Sequence, residues 1–243
     1  MPSRPTFAPF TAPHFVAVAI ALTVIVSVVA WGRKQTPEIA ARGGRALGIA
    51  LLAYYALESI VRVAFLGMRF VDILPFELCN ALFFIGAYAF FTGNALAFEC
   101  VYFWTFAGTI HAFITPTPRA GFPDPNYFQY FAAHGLLILS ASYAAFAMRK
   151  TPTRGSLVRA YLALQAFTAL VAVIDLASGQ NYLYLRHKPP SPTALDAFGE
   201  WPNYIIGGEL VALVSFTLWN LPFVIRRART KEPAFEPRVQ GMR

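Results

Sequence analysis

Two residues of this chain carry the means for nucleophilic chemistry on an acyl group: Cys79, whose thiol can attack a carbonyl carbon, and His134, whose ring can take the thiol proton. Cys79 follows Leu74-Pro75-Phe76-Glu77-Leu78 and precedes Asn80. Proline suits the first turn of a helix, where its missing N–H would have no partner anyway, so Pro75 marks a helix start and puts Cys79 just inside it. The positive end of the helix dipole then favours a thiolate. A cysteine in an apolar segment is also a small packing residue, and that reading stays open beside the chemical one. Asn80 or His111 is a candidate to stabilise the oxyanion such an attack would create.

More ionisable groups lie within apolar segments: Glu58, Arg62, Glu77, His111, Asp175 and Glu209. Charge in hydrocarbon is costly and normally faces the protein interior or a hydrated cavity, so groups from several helices at one level predict a polar chamber. Glu58 and Arg62 are four apart, the spacing that stacks two side chains on one helix face and permits an ion pair, whether structural or functional. Tyr130 and His134, like His111 and Thr115, share that spacing. No phosphate-cradling glycine loop, His-Glu-x-x-His helix or Gly-x-Ser-x-Gly elbow is present, and none of the His, Cys and Glu residues has the tight pairwise spacing of a metal motif. No metal or cofactor is expected.

The elements that must position these groups are membrane helices. The 243 residues are 57% hydrophobic and 13% charged, with a mean hydropathy of +0.51, a balance far from that of a soluble domain. Crossing ~30 Å of hydrocarbon takes about 20 residues, and seven apolar runs, near 14–31, 45–66, 73–92, 95–115, 126–148, 157–177 and 204–225, are candidates. The expected fold is an all-α polytopic bundle over residues 1–225, followed by a basic disordered cytoplasmic tail at 226–243. Gly93-Asn94 is a turn signal that makes the third and fourth spans an antiparallel hairpin.

Fourteen of the twenty Lys and Arg residues, among them Arg33, Lys34, Arg42, Arg45, Arg149, Lys150, Arg154, Arg226 and Arg227, fall on one side of this arrangement. Basic loops stay on the cytoplasmic side, so the N-terminus is expected outside and the C-terminus inside. That orientation puts the polar chamber in the outer leaflet, with Cys79 ~9 Å below the start of its span at 1.5 Å per residue. Cys79 and Cys100 then lie near opposite faces, too far apart for a disulfide. The charge of +8 sits in short loops and a tail rather than on one patch, which favours contact with lipid headgroups over nucleic acid. Arg186, His187 and Lys188 form a cationic run at the chamber mouth, able to hold a lipid phosphate.

The chain resembles the YwaF family of bacterial integral membrane proteins, related to eukaryotic transmembrane protein 164. The resemblance runs through Leu74-Pro75-Phe76-Glu77-Leu78-Cys79-Asn80, Phe98-Glu99, Tyr102-Phe103-Trp104, Phe128-Gln129-Tyr130-Phe131 with His134-Gly135, Asn181-Tyr182, Lys188-Pro189 and Trp201-Pro202-x-Tyr204. It implies residence in the bacterial cytoplasmic membrane and, from the eukaryotic relatives, cysteine-dependent acyl transfer on phospholipids with Cys79 as nucleophile and His134 as base. Asn80 departs from the histidine that follows the cysteine in those relatives. The leading expectation is therefore a lipid acyltransferase or acyl hydrolase of the outer leaflet, with membrane lipids as partners. The rival is a transporter or receptor that binds a small polar solute through Glu58, Arg62, Asp175 and Glu209 without chemistry.

Overall fold

A computed structural model describes residues 5–65, 67–188 and 194–229. Seven helices follow in order: α1 (Ala12–Arg33), α2 (Pro37–Ala64), α3 (Leu78–Thr92), α4 (Ala95–Ile114), α5 (Pro125–Ala147), α6 (Ser156–Ser178) and α7 (Asn203–Arg229). All but α3 are long and apolar enough to cross a membrane. The protein is an integral membrane protein built on an all-helical bundle.

The helix boundaries follow from local signals. Pro37 and Pro125 sit in first turns behind the caps Thr36 and Asp124, whose side chains accept from the N–H groups of Ile39 and Asn126. The α3–α4 hairpin turns at Gly93 with φ 73°, a left-handed conformation that glycine adopts without steric cost, and Asn94 Oδ1 caps α4 by accepting from Ala97 N–H at 2.9 Å. The basic residues expected to open a disordered tail instead form the last turn of α7, through Arg229. Arginine is a good helix former and its charge opposes the negative end of the dipole. The rest of the expected tail, 230–243, and Pro189 lie outside the described residues.

The aromatic-rich α4 and α5 form the buried centre. Phe98, Val101, Phe103, Trp104, Leu137, Ile138 and Tyr143 are almost fully enclosed, while α1, α2, α6 and α7 present most of their apolar side chains outward. α1 and α2 pack against α5, α3 packs against α2, α4 and α5, and α6 and α7 cover the far side of α4. Without water to drive helix association, close packing and interhelical hydrogen bonds hold such a bundle. Tyrosine and tryptophan supply many of the bonds. Tyr54 OH donates to the Gln129 carbonyl at 2.8 Å, Tyr102 OH to Trp219 at 3.0 Å, Trp104 Nε1 to Ala160 at 3.0 Å and Tyr143 OH to Ala40 at 3.1 Å.

Two helices contain a π-turn, at Thr105–Thr109 in α4 and at Tyr143–Ala147 in α5. Such a turn inserts an extra residue into the α-helical repeat and re-aims whatever follows, and it often lies at a functional site.

Candidate functional site

The third helix begins later than the apolar pattern suggests. Residues 70–73 form a 3-10 turn and α3 starts only at Leu78, so the helix spans ~22 Å rather than a full membrane thickness. Cys79 is its second residue, at the helix end instead of ~9 Å inside it as expected. The segment before it is held by neighbouring tyrosines: Tyr55 OH donates to the Ile73 carbonyl and Tyr182 OH to the Val71 carbonyl. Irregular backbone at this level is tolerated where it is buried in protein or lines a cavity.

A cavity of about 340 Å³ lies between the N-terminal ends of α3 and α5 and the C-terminal end of α2. Cys79, His134, Glu58, Arg62, Glu77 and Asn80 all line it. Glu58 is 9% exposed and pairs with Arg62, so this carboxylate enters the interior only with a cation attached. The Cys79 Sγ lies 3.6 Å from Thr109 Oγ1, the last residue of the α4 π-turn. His134 Nδ1 lies 2.7 Å from the Tyr130 carbonyl oxygen. A carbonyl can only accept, so Nδ1 carries a proton, and in the neutral ring the lone pair is then on Nε2. Cys79 and Cys100 are both free thiols.

The wall is completed by residues that the sequence pattern did not single out for chemistry: Thr117, Arg119, Asn126, Gln129, Tyr130 and Tyr184. Most come from loops or the first turn of α5, where hydropathy and helical spacing point to no common cavity. Asp124-Pro125 marks the start of α5, and that start is the one signal that would have placed Asn126 and Gln129 here.

Tyr184 belongs to a loop under visible strain. Leu183 and Tyr184 both have φ near +55°, at 53° and 55°, a region costly for residues with a β-carbon. Side chains from other elements hold the loop in this shape. Glu77 Oε2 accepts from Leu183 N–H at 3.2 Å, Asp175 Oδ1 from Tyr182 N–H at 2.9 Å, Tyr204 OH donates to the Tyr184 carbonyl at 2.7 Å and Trp201 Nε1 to that of Leu185 at 3.1 Å. Asn181 Oδ1 adds bonds from the Arg186 and His187 N–H groups at 2.8 and 3.2 Å.

Three expected chamber residues lie elsewhere. His111 is exposed, two residues beyond the π-turn whose extra residue rotates the end of α4 by ~100° from the α-helical expectation. Asp175 is fully buried outside the cavity lining and braces the Tyr182 backbone. Glu209 faces α6, where its carboxylate accepts from Tyr161 OH at 2.8 Å and Gln165 Nε2 at 2.7 Å. The cationic run is also absent from the cavity wall. Arg186 and His187 are exposed, with Arg186 Nη1 donating to the Gln180 carbonyl at 3.1 Å. Lys188 is tied to Glu200 at 2.9 Å and Asp196 at 3.2 Å. Its ammonium is held above the usual lysine range, first by the hydrogen bond to Glu200.

Fold and site together define a polytopic helical membrane protein with a cysteine, a histidine and a buried ion pair sharing one cavity at one end of the bundle. The chain belongs to the TMEM164 family, whose model matches residues 9–220. No curated protein and no solved structure matches it.

Proposed function

We propose that the protein is a cysteine-dependent lipid acyltransferase or acyl hydrolase working at the outer face of the bacterial cytoplasmic membrane. The observation that carries this reading is the shared cavity, in which Cys79 and a histidine with its lone pair on Nε2 are the lining groups suited to acyl transfer. Its place at the helix ends suits phospholipid ester carbonyls, which lie at the boundary between headgroup and hydrocarbon.

Glu77 and Cys79 share the cavity wall two residues apart, and a carboxylate there opposes a resting thiolate. The proton therefore leaves during attack: His134 Nε2 takes it from Cys79 as Sγ bonds to the ester carbonyl carbon. The ester C–O bond then breaks, the leaving oxygen recovers the proton from His134, and a lysolipid departs from an acyl thioester on Cys79. In the second half, His134 takes a proton from water or from the hydroxyl of a second lipid. That oxygen bonds to the thioester carbon, the C–S bond breaks, and the thiolate regains the proton.

The first turn of α3 adds an oxyanion site to this reading. Glu77 occupies the N-cap position without a capping hydrogen bond to that turn. The N–H groups at the start of a helix lack intrahelical acceptors, so those of Cys79 and its neighbours are donors next to the sulfur.

Protein in proteoliposomes with acyl-labelled phospholipid is expected to yield free labelled fatty acid or a relabelled lipid, and a hydroxylamine-sensitive acyl adduct on Cys79 in intact-mass spectra. Cys79→Ala is expected to abolish both products. His134→Gln is expected to reduce turnover ~10²–10⁴-fold. Equal activity in wild type and both variants would remove the proposal, and solute-induced thermal stabilisation unaffected by thiol blocking would point to a binding protein instead.

A further inference from the structure

At the opposite end of the bundle a second cavity, of about 790 Å³, is lined by Arg33, Arg149, Arg154, Arg226 and Arg227 and walled by Phe146 and Phe223. The guanidinium groups come from four separate places: the last turn of α1, a position two residues beyond the α5 π-turn, the α5–α6 loop and the last turn of α7, which supplies two of them. Basic residues at helix ends are ordinary as orientation signals, but these converge on one concavity, and no carboxylate lines it among the described residues.

The backbone is arranged to bring them there. Arg149 has φ 59°, a left-handed conformation unusual for a residue with a β-carbon, and the turn is closed by Lys150 N–H donating to the Ala144 carbonyl at 2.9 Å. Arg227 Nη1 donates to the Pro152 carbonyl at 2.7 Å and so fastens the end of α7 to the α5–α6 loop. The nearby carboxylate of Glu99 is already taken, by Arg159 at 2.5 Å and Ser156 Oγ at 2.7 Å.

We infer that this cavity binds a ligand with two phosphate groups, and that its source is an anionic membrane lipid. Guanidinium forks match phosphate oxygens with two parallel hydrogen bonds, and several around one space fit more than a single phosphodiester. The position at the helix ends is headgroup level, and Phe146 and Phe223 supply an apolar wall that a soluble diphosphate would leave unused. The site is independent of the Cys79 cavity and of the activity proposed for it.

Native mass spectrometry of the full chain from nanodiscs of phosphatidylcholine doped with diphosphatidylglycerol tests this, with phosphatidylglycerol and inorganic pyrophosphate as separate arms. Wild type is expected to retain one diphosphatidylglycerol in preference to phosphatidylglycerol, and Arg33→Gln/Arg149→Gln, which removes two guanidinium contacts, to bind it at least about tenfold more weakly. Lys34→Gln/Arg42→Gln removes the same charge from residues outside the cavity lining and is expected to leave binding within about twofold of wild type. Equal losses in the two double variants would reduce the effect to diffuse charge and overturn the site. Pyrophosphate binding as tightly as the lipid would overturn the lipid source. Should the first double variant not fold, pyrophosphate and lipid competition on wild type still decides, since absence of preference for the two-phosphate lipid also refutes the inference.

Discussion

Glu77 Oε2 and the backbone N–H of Leu183 meet at 3.2 Å, which joins the start of the cysteine helix to a left-handed residue 106 positions later. One carboxylate thus leaves the first turn of α3 uncapped and braces the strained loop that carries Tyr184. Glu77→Ala is expected to destabilise the protein by ~1–3 kcal/mol, because a partly buried donor loses its acceptor. Glu77→Gln retains an acceptor oxygen and should lose much less. Thermal unfolding in detergent, with limited proteolysis around residues 181–188, distinguishes them; equal stability of the two variants would contradict the bracing role.

Asp72 gives a pH-dependent version of the same kind of test outside the spans. Its carboxyl is held below the usual aspartate range, first by the Arg69 side chain, whose Nη2 lies 2.8 Å from Oδ1. A group with a lowered folded pKa contributes stability above its unfolded value, and that contribution is lost as pH falls through the folded value. The stability difference between wild type and Asp72→Asn is therefore expected to be present at neutral pH and to close below about pH 4, the ordinary aspartate range. It should be small and salt-sensitive, since the pair faces solvent. Melting curves across pH 3 to 7 check it, and a gap that widens in acid would reverse the sign.

Much of the bundle was legible because membrane helices follow directly from apolar length, and the Gly93-Asn94 hairpin and the Glu58–Arg62 pair follow from local spacing. Depth and rotation were not. Counting residues from assumed span ends placed Cys79 too deep, since α3 starts at Leu78 rather than near residue 73. The π-turn before His111 has no signature in hydropathy, yet it moves that ring to the surface and leaves Thr109 beside the thiol. Height alone puts Glu209 in the chamber, but its helix turns the carboxylate toward Tyr161 and Gln165. The loop residues Arg119 and Tyr184 reach the cavity through tertiary contacts, which no local pattern encodes.

The two cysteines offer a reactivity comparison within one molecule. Cys79 is partly accessible and lines a polar cavity, whereas Cys100 is 4% exposed in the aromatic core of α4. Alkylation requires both access and removal of the thiol proton, so a small uncharged maleimide in vesicles should modify Cys79 at least about tenfold faster than Cys100. If His134 takes that proton, His134→Gln should slow labelling of Cys79 severalfold while leaving Cys100 unchanged. A slower rate at both cysteines would instead indicate a general change in packing. Peptide mass spectrometry over a time course separates these results, and Cys100 reacting first would mean that the cavity does not give reagents access to the sulfur on which the proposed chemistry depends.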